Sequence, residues 1–218
     1  TNVFRDQLDR FGEITYTLEN IFQGLRQSPD SILCLNADCS LTASLQRRLP
    51  NPVRFFGVNV PLYKNPVQEL SDAAHCLHCK TEYVYDYVTY GHLGGFRCPR
   101  CGYARPEPQV AVTEVLEQTV DASLVRLRCD GEEEQVRVNL PAGYNIYNAA
   151  GAIAALTAMD FSFAAARTAV EHFSCGFGRM EKFTLQDRDI RMILVKNPAG
   201  CNQVLNFLMG LEGNALFT

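Results

Sequence analysis

The chain has 218 residues, 47% of them hydrophobic, and a formal charge of −4. That apolar content supports one real core with a small satellite, and the acidic balance gives no general field for nucleic acid. No apolar run approaches a membrane span, and nothing at the start resembles a signal peptide. The nine cysteines are an odd number, and five of them (Cys34, Cys39, Cys129, Cys175 and Cys201) are scattered. Such usage argues against a secreted disulfide scaffold and for a reduced, cytoplasmic protein, with those five thiols as core residues.

In chain order, residues 15–27 set Leu18, Ile21, Phe22 and Leu25 at helical spacing. SILCL (31–35) is a short continuous apolar run, as expected of a buried parallel strand. NAD turns the chain, Leu41, Leu45 and Leu49 predict a second helix, and VRFFGV (53–58) a second strand. This alternation predicts an α/β fold with an open, mostly parallel sheet. Beyond residue 108 the rhythm changes. QVAVTEVLEQ, ASLVRLRCDG and EEQVRVNLPAG read as an antiparallel hairpin or meander, with Asp130-Gly131 as a turn. YNIYNAAGAIAALTAM (144–159) predicts a helix whose small residues pack closely on a sheet. Ser162 is placed to cap another helix with Phe163, Ala166, Val170 and Phe173 inward. MEKFTL and IRMILV flank the polar turn QDRD as a strand pair, and NPAG precedes an apolar helix with Val204, Leu205 and Leu208.

Between the two halves lies CLHCKTEYVYDYVTYGHLGGFRCPRC, residues 76–101. Two C-x-x-C pairs, Cys76/Cys79 and Cys98/Cys101, can each turn two sulfurs toward one ion. Pro99 presets the second knuckle and Gly102 lets the backbone fold so that amides face sulfur. TEYVYDYVTY reads as a strand and GHLGG as a turn, so residues 73–108 are predicted to form a four-cysteine zinc ribbon inserted in the α/β frame. With four thiolates the expected Zn²⁺ is structural, and it supplies the stability that so short a segment lacks. His75, His78 and His92 are read as bystanders, with a ligand swap as the alternative. The ribbon's four basic residues against three acidic ones are too few for a phosphate-binding surface.

Five strings in this order resemble the central domain of the Mur ligase family: TNVFRDQLDRFGE (1–13), LNADCSLTASL (35–45), YNIYNAAGAIAAL (144–156), GRMEKF (178–183) and VKNPAG (195–200). The ribbon after the second α/β unit resembles the MurT-type branch of that family. The resemblance covers nearly the whole chain. It implies that residues 1–72 form the first part of the central domain without its P-loop portion. Residues 109–200 would be its remainder, and 201–218 a hinge and the start of a C-terminal region. It also implies ATP-dependent amide formation with Mg²⁺. The α-carboxyl of D-glutamate in the lipid II stem peptide would be converted to D-isoglutamine at the membrane surface, with ammonia from a GatD-type glutamine amidotransferase.

Carried over residue by residue, Asn2, Asp6 and Asp9 match the family's N-x-x-x-D-H-x-D run near phosphates and magnesium, with Asp6 and Gln7 at the catalytic positions. Gln7 replaces the metal-holding histidine, so direct coordination there is not expected; turn and cap chemistry is the other reading of the two aspartates. Asn148 matches the asparagine that reads adenine, its amide offering both a donor and an acceptor; Asn145 is a candidate helix cap. Arg179 falls where a guanidinium approaches the nucleotide, or is a surface charge. Lys196 and Asn197 align with the end of a hinge motif whose acidic residue is here Ile193. No G-x-x-x-x-G-K-[ST] occurs, and in the family that loop lies upstream of TNVFRDQ. The chain is therefore expected to be the middle of a larger enzyme and inactive alone. The competing expectation is a non-catalytic zinc-ribbon docking module on a degenerate Mur ligase-like domain.

Overall fold

A computed structural model of the chain describes residues 2–5, 13–63, 71–174, 181–186 and 188–209. Helix α1 (Ile14–Leu25) buries Ile14 and Leu18 and half-buries Phe22 and Leu25. That stripe leaves Ile21, expected inward, 38% exposed on its border. The Arg48 guanidinium sits 3.7 Å above the Phe22 ring and binds Glu19 at 2.7 Å, tying α1 to the segment before the second strand.

The two apolar runs form strands β1 (Leu33–Asn36) and β2 (Val53–Val58), paired in parallel with Leu33 opposite Val53. Their crossover is the short helix α2 (Ser40–Ala43) continued by a 3₁₀ turn, Ser44–Arg47, with Leu41, Leu45 and Leu49 all buried as expected. The ribbon hairpin, β3 (Val84–Tyr90) and β4 (Leu93–Arg97), is a separate two-stranded sheet. Gly91 and His92 alone make its turn; Gly94 and Gly95, expected in the turn, lie in β4 because Val88 pairs with Gly94 across a register shift.

After the ribbon, β5 (Val110–Gln118) returns to the main sheet parallel to β2. Strands β6 (Ser123–Cys129) and β7 (Glu132–Val138) follow antiparallel, so the order is β1-β2-β5-β6-β7. Asp130 (φ 49°) and Gly131 (φ 96°) supply the two left-handed residues that a tight hairpin turn needs. Helix α3 (Gly143–Ala158) packs on β1, β2 and β5. Its small residues let it approach closely, with Gly151 against the Phe56 ring and Ala150, Ile153 and Ala154 fully buried.

Helix α4 (Phe163–His172) packs on α3 and β7 and is capped by the Ser162 hydroxyl, which accepts the Ala165 N–H at 3.2 Å. Phe163 and Ala166 point inward, but Phe173, expected with them, is 55% exposed because the chain leaves the helix as extended backbone there. The second hairpin is β8 (Glu181–Leu185) and β9 (Arg188–Met192), and helix α5 (Pro198–Met209) contacts α3. Leu205 of α5 is exposed, whereas Phe207 is buried.

Candidate functional site

In the ribbon, the four sulfurs of Cys76, Cys79, Cys98 and Cys101 lie within 4.8 Å of one another, with Cys76–Cys101 at 3.5 Å and Cys79–Cys98 at 3.4 Å. A tetrahedral ion with Zn–S bonds of about 2.3 Å needs sulfur–sulfur edges of about 3.8 Å, so the set fits such an ion. The two knuckles repeat one geometry. Each is followed by a left-handed residue, Lys80 (φ 62°) and Gly102 (φ 72°). Lys80 N–H donates to Cys76 C=O at 2.9 Å and Gly102 N–H to Cys98 C=O at 3.1 Å. Amides of His78 and Cys79 face the Cys76 sulfur. The Thr81 hydroxyl and amide hold the Cys79 thiol down at about 6. The Tyr103 amide pulls Cys101 down, but burial and the three sulfurs beside it push it up to about 12. Four sulfurs this close cannot all shed protons without a cation among them, a charge that a bound metal ion would supply. None of the three nearby histidines belongs to the cluster. His75 pairs its backbone with Glu82 in a β-bridge, His78 lies edge-on to Tyr103 at 4.8 Å, and His92 is at the other end of the hairpin.

One side of the ribbon, from Tyr103 beside the second knuckle to the hairpin turn, is seated on the carboxyl edge of the parallel strands, where open α/β sheets bind their ligands. Tyr87 donates its hydroxyl to Val58 C=O at 2.9 Å, Tyr103 to Ser40 C=O at 2.7 Å, and Gly94 N–H reaches Asp38 C=O at 3.1 Å. Tyr90, Leu93, Phe96 and Tyr103 are all buried. The ribbon thus shares the core of the α/β domain.

At the centre of the junction is Asp38, fully buried in the turn after β1. One carboxylate oxygen accepts Arg105 Nε at 2.6 Å; the other accepts Val58 N–H at 2.8 Å and the Tyr147 hydroxyl at 2.5 Å. Burial pushes Asp38 above the ordinary carboxylate range, opposed first by the Arg105 guanidinium and then by Tyr147. Arg105 also binds Asn59 at 2.7 Å. Gly57 is required beside this pair, since a Cβ there would lie 2.5 Å from Asp38 Oδ1 and 2.8 Å from Arg105 Nη2. Tyr147, from α3, contacts the Thr89 hydroxyl of β3 at 2.7 Å. Asn36, the last residue of β1, accepts Asp38 N–H at 2.9 Å and donates to the Asn2 side chain. Asn2 in turn donates to the Tyr90 hydroxyl at 3.3 Å. Cys39 Sγ lies 3.4 Å from His92 Nε2. Burial pushes that thiol up, but the His92 bond and charge, with amides of Thr42 and Val3, outweigh it and hold it at about 7.

Among curated proteins, the chain is 33% identical over 211 residues to the lipid II isoglutaminyl synthase subunit MurT of Streptococcus pneumoniae, a match spanning 95% of this chain and 45% of that protein. It is 26% identical to MurT of Staphylococcus aureus over 100% of this chain and 48% of that one. The match to the second takes in the ribbon, and the chain spans about half the length of both relatives. No protein-family profile matches the chain. Among solved structures, a pseudomurein peptide ligase type C from Methanothermus fervidus superposes with a TM-score of 0.78 at 25% identity, covering 94% of this chain and 39% of that one. MurF from Acinetobacter baumannii superposes with a TM-score of 0.68 at 15% identity, over 97% of this chain and 37% of that one. The chain has a Mur ligase fold.

Within this Mur ligase frame, the residues singled out from sequence fall in three places. Asn2 is at the sheet edge just described. Asn148 is on the exposed side of α3, and among the described residues its amide bonds only Asn145, at 3.3 Å. It borders an apolar cavity of about 330 Å³ walled by Val138, Ala152, Leu156, Val170 and Phe173. Asn145, weighed as a cap, instead ties its amide to Pro141 C=O at 2.6 Å within the first turn. Lys196 and Asn197 line a different cavity of about 240 Å³, beside Tyr144 and Val204. There Asn197 caps α5, accepting Gly200 N–H at 2.8 Å. Asp6, Gln7, Asp9 and Arg179 lie outside the described residues. Sequence reasoning missed the partners of the junction. Arg105 and Tyr90 sit in the predicted ribbon and Tyr147 in the YNIYNAAGAIAAL string without being marked as site residues, and Cys39, read as a core thiol, meets a histidine 53 positions away. The LNADCS string marked one side of the junction without marking what it faces.

Proposed function

We propose that the chain is the central portion of a MurT-type, ATP-dependent amide ligase subunit of peptidoglycan synthesis. With a GatD-type glutamine amidotransferase it would convert the D-glutamate α-carboxyl of lipid II to the amide, on the cytoplasmic face of the membrane. The observation that carries the reading is similarity to two MurT subunits over essentially the whole chain, ribbon included. The Mur ligase fold and the polar cluster at the carboxyl edge of its sheet support it.

In this reaction ATP turns a poor electrophile into an acyl phosphate, and ammonia displaces phosphate. The protein's task is to hold anions and exclude water. Asn148, whose carbonyl is unengaged among the described residues, lies at the rim of the apolar cavity and suits the polar edge of adenine while the cavity walls take its faces. Asn2 is aimed at the strand ends, where the phosphates and Mg²⁺ would lie, with Asp6 and Gln7 following in the chain. Asn197 stabilises the start of α5 beside the second cavity, and with Ile193 in place of the hinge's acidic residue no ribose contact is assigned there. The ribbon's thiolate set suits a structural Zn²⁺, and its buried seat speaks against a free docking module.

The test is amidation of lipid II by the full-length subunit with its glutaminase, ATP and Mg²⁺, read by mass spectrometry. The product is D-isoglutamine on this reading, and the isolated 218 residues give none. A full-length complex that leaves the carboxylate unchanged would overturn the reading.

A further inference from the structure

The ribbon does more than pack. Each residue of the segment 2–5 that carries Asn2 has its own tie, and three of the four ties involve the ribbon hairpin or the thiol it touches. The Asn2 amide donates to Tyr90 Oη at 3.3 Å. The Val3 amide faces the Cys39 sulfur, itself 3.4 Å from His92 of the hairpin turn. Phe4 stacks on Tyr90 at 5.8 Å and leans on His92 at 4.7 Å. Arg5 N–H donates to Asp72 at 2.9 Å, immediately before the ribbon begins. An amide side chain on an extended segment has free rotation about two bonds; here Asn36 accepts no choice of orientation from it, because Asn36 Nδ2 needs the Asn2 oxygen and Tyr90 takes the nitrogen.

We propose that Tyr90 is a positioning residue for the ligase site: the ribbon hairpin fixes which way Asn2 presents its amide at the strand ends, and so takes part in nucleotide binding through Asn2. The polar circuit closes on the hairpin itself. From Tyr90 it runs through Asn2, Asn36, Asp38 and Tyr147 to Thr89, the residue preceding Tyr90 in β3. Both ends of the circuit therefore move together if the hairpin moves, and the carboxylate at its centre is fully buried and ion-paired to Arg105. The proposal rests on the ligase reading, which supplies the phosphates that Asn2 would meet.

The experiment uses the full-length, zinc-loaded subunit with its glutaminase and follows amidation against MgATP. Tyr90→Phe is expected to raise the KM for ATP about fivefold, the size expected for one lost hydrogen bond, with zinc content and the KM for glutamine unchanged and the Tm lowered by no more than a few degrees. Asn2→Ala raises the KM for ATP as well, and Tyr90→Phe added to it has no further effect, because Tyr90 acts through Asn2. Tyr87→Phe removes a ribbon-to-sheet hydrogen bond that does not touch Asn2 and leaves the KM for ATP as it was. An unchanged KM in Tyr90→Phe while the parent complex amidates normally overturns the positioning role, and so does a double variant whose effects add. A parent complex that does not amidate at all overturns instead the ligase reading beneath it.

Discussion

Among the described residues are two separate two-stranded hairpins, and they are held in opposite ways. The ribbon hairpin, β3–β4, buries Tyr90, Leu93 and Phe96, is clamped at one end by four sulfurs, and is locked at the other into a buried polar circuit. The β8–β9 hairpin exposes Phe183, Leu185, Ile190 and Met192, each by more than 40%. It is held by surface pairs such as Lys182–Asp189 at 3.1 Å, and by Arg191, which reaches Val120 C=O and Asp121 at 2.9 Å each. Two strands alone are marginal in water. The contrast shows that one hairpin is built into the core of the domain, while the ties described for the other are largely solvent-screened.

Removing the metal is the largest expected perturbation of this difference. Cys98→Ser should abolish stoichiometric zinc, measured by atomic emission, and lower the Tm by more than about 10 °C, since metal binding is folding energy for the ribbon. Asp38→Asn comes next. It keeps the shape but leaves Arg105, whose side chain is 11% exposed, without its counter-charge. The expected loss is about 3 to 5 kcal/mol in urea unfolding of the zinc-loaded protein. A loss below about 1 kcal/mol would mean that the junction is wetter and looser than described. Arg191→Ala is smallest, at most about 1 kcal/mol globally, because its partner Asp121 is 62% exposed. Its effect should appear as faster amide exchange confined to β8–β9. Faster exchange in the ribbon as well would erase the contrast.

How far the sequence discloses this arrangement depends on the range of the interaction. The knuckles are legible because both ligands of a pair, the presetting Pro99 and the left-handed Gly102 fall within five residues. The strands 33–36 and 53–58 are legible because burial on both faces demands a continuous apolar run. The parallel pairing of β2 with β5 is hidden, because the whole ribbon intervenes between partners such as Phe56 and Val110. The junction is the least legible part. Asp38, Arg105 and Tyr147 are separated by 67 and 109 positions from their partners in the circuit, and each alone is an unremarkable polar or aromatic residue. Asn148 and Asn197 were marked by their strings, but only the structure assigns them to separate cavities and gives Asn197 a capping bond.

The most direct test of the account is amide hydrogen exchange on the zinc-loaded and zinc-stripped protein, read at Val3 and Arg5. If the ribbon organises the strand-end site, stripping zinc releases those two amides together with residues 73–108, while β5, β6 and β7 stay protected. Retained protection at Val3 and Arg5 in a protein whose ribbon has opened would contradict it.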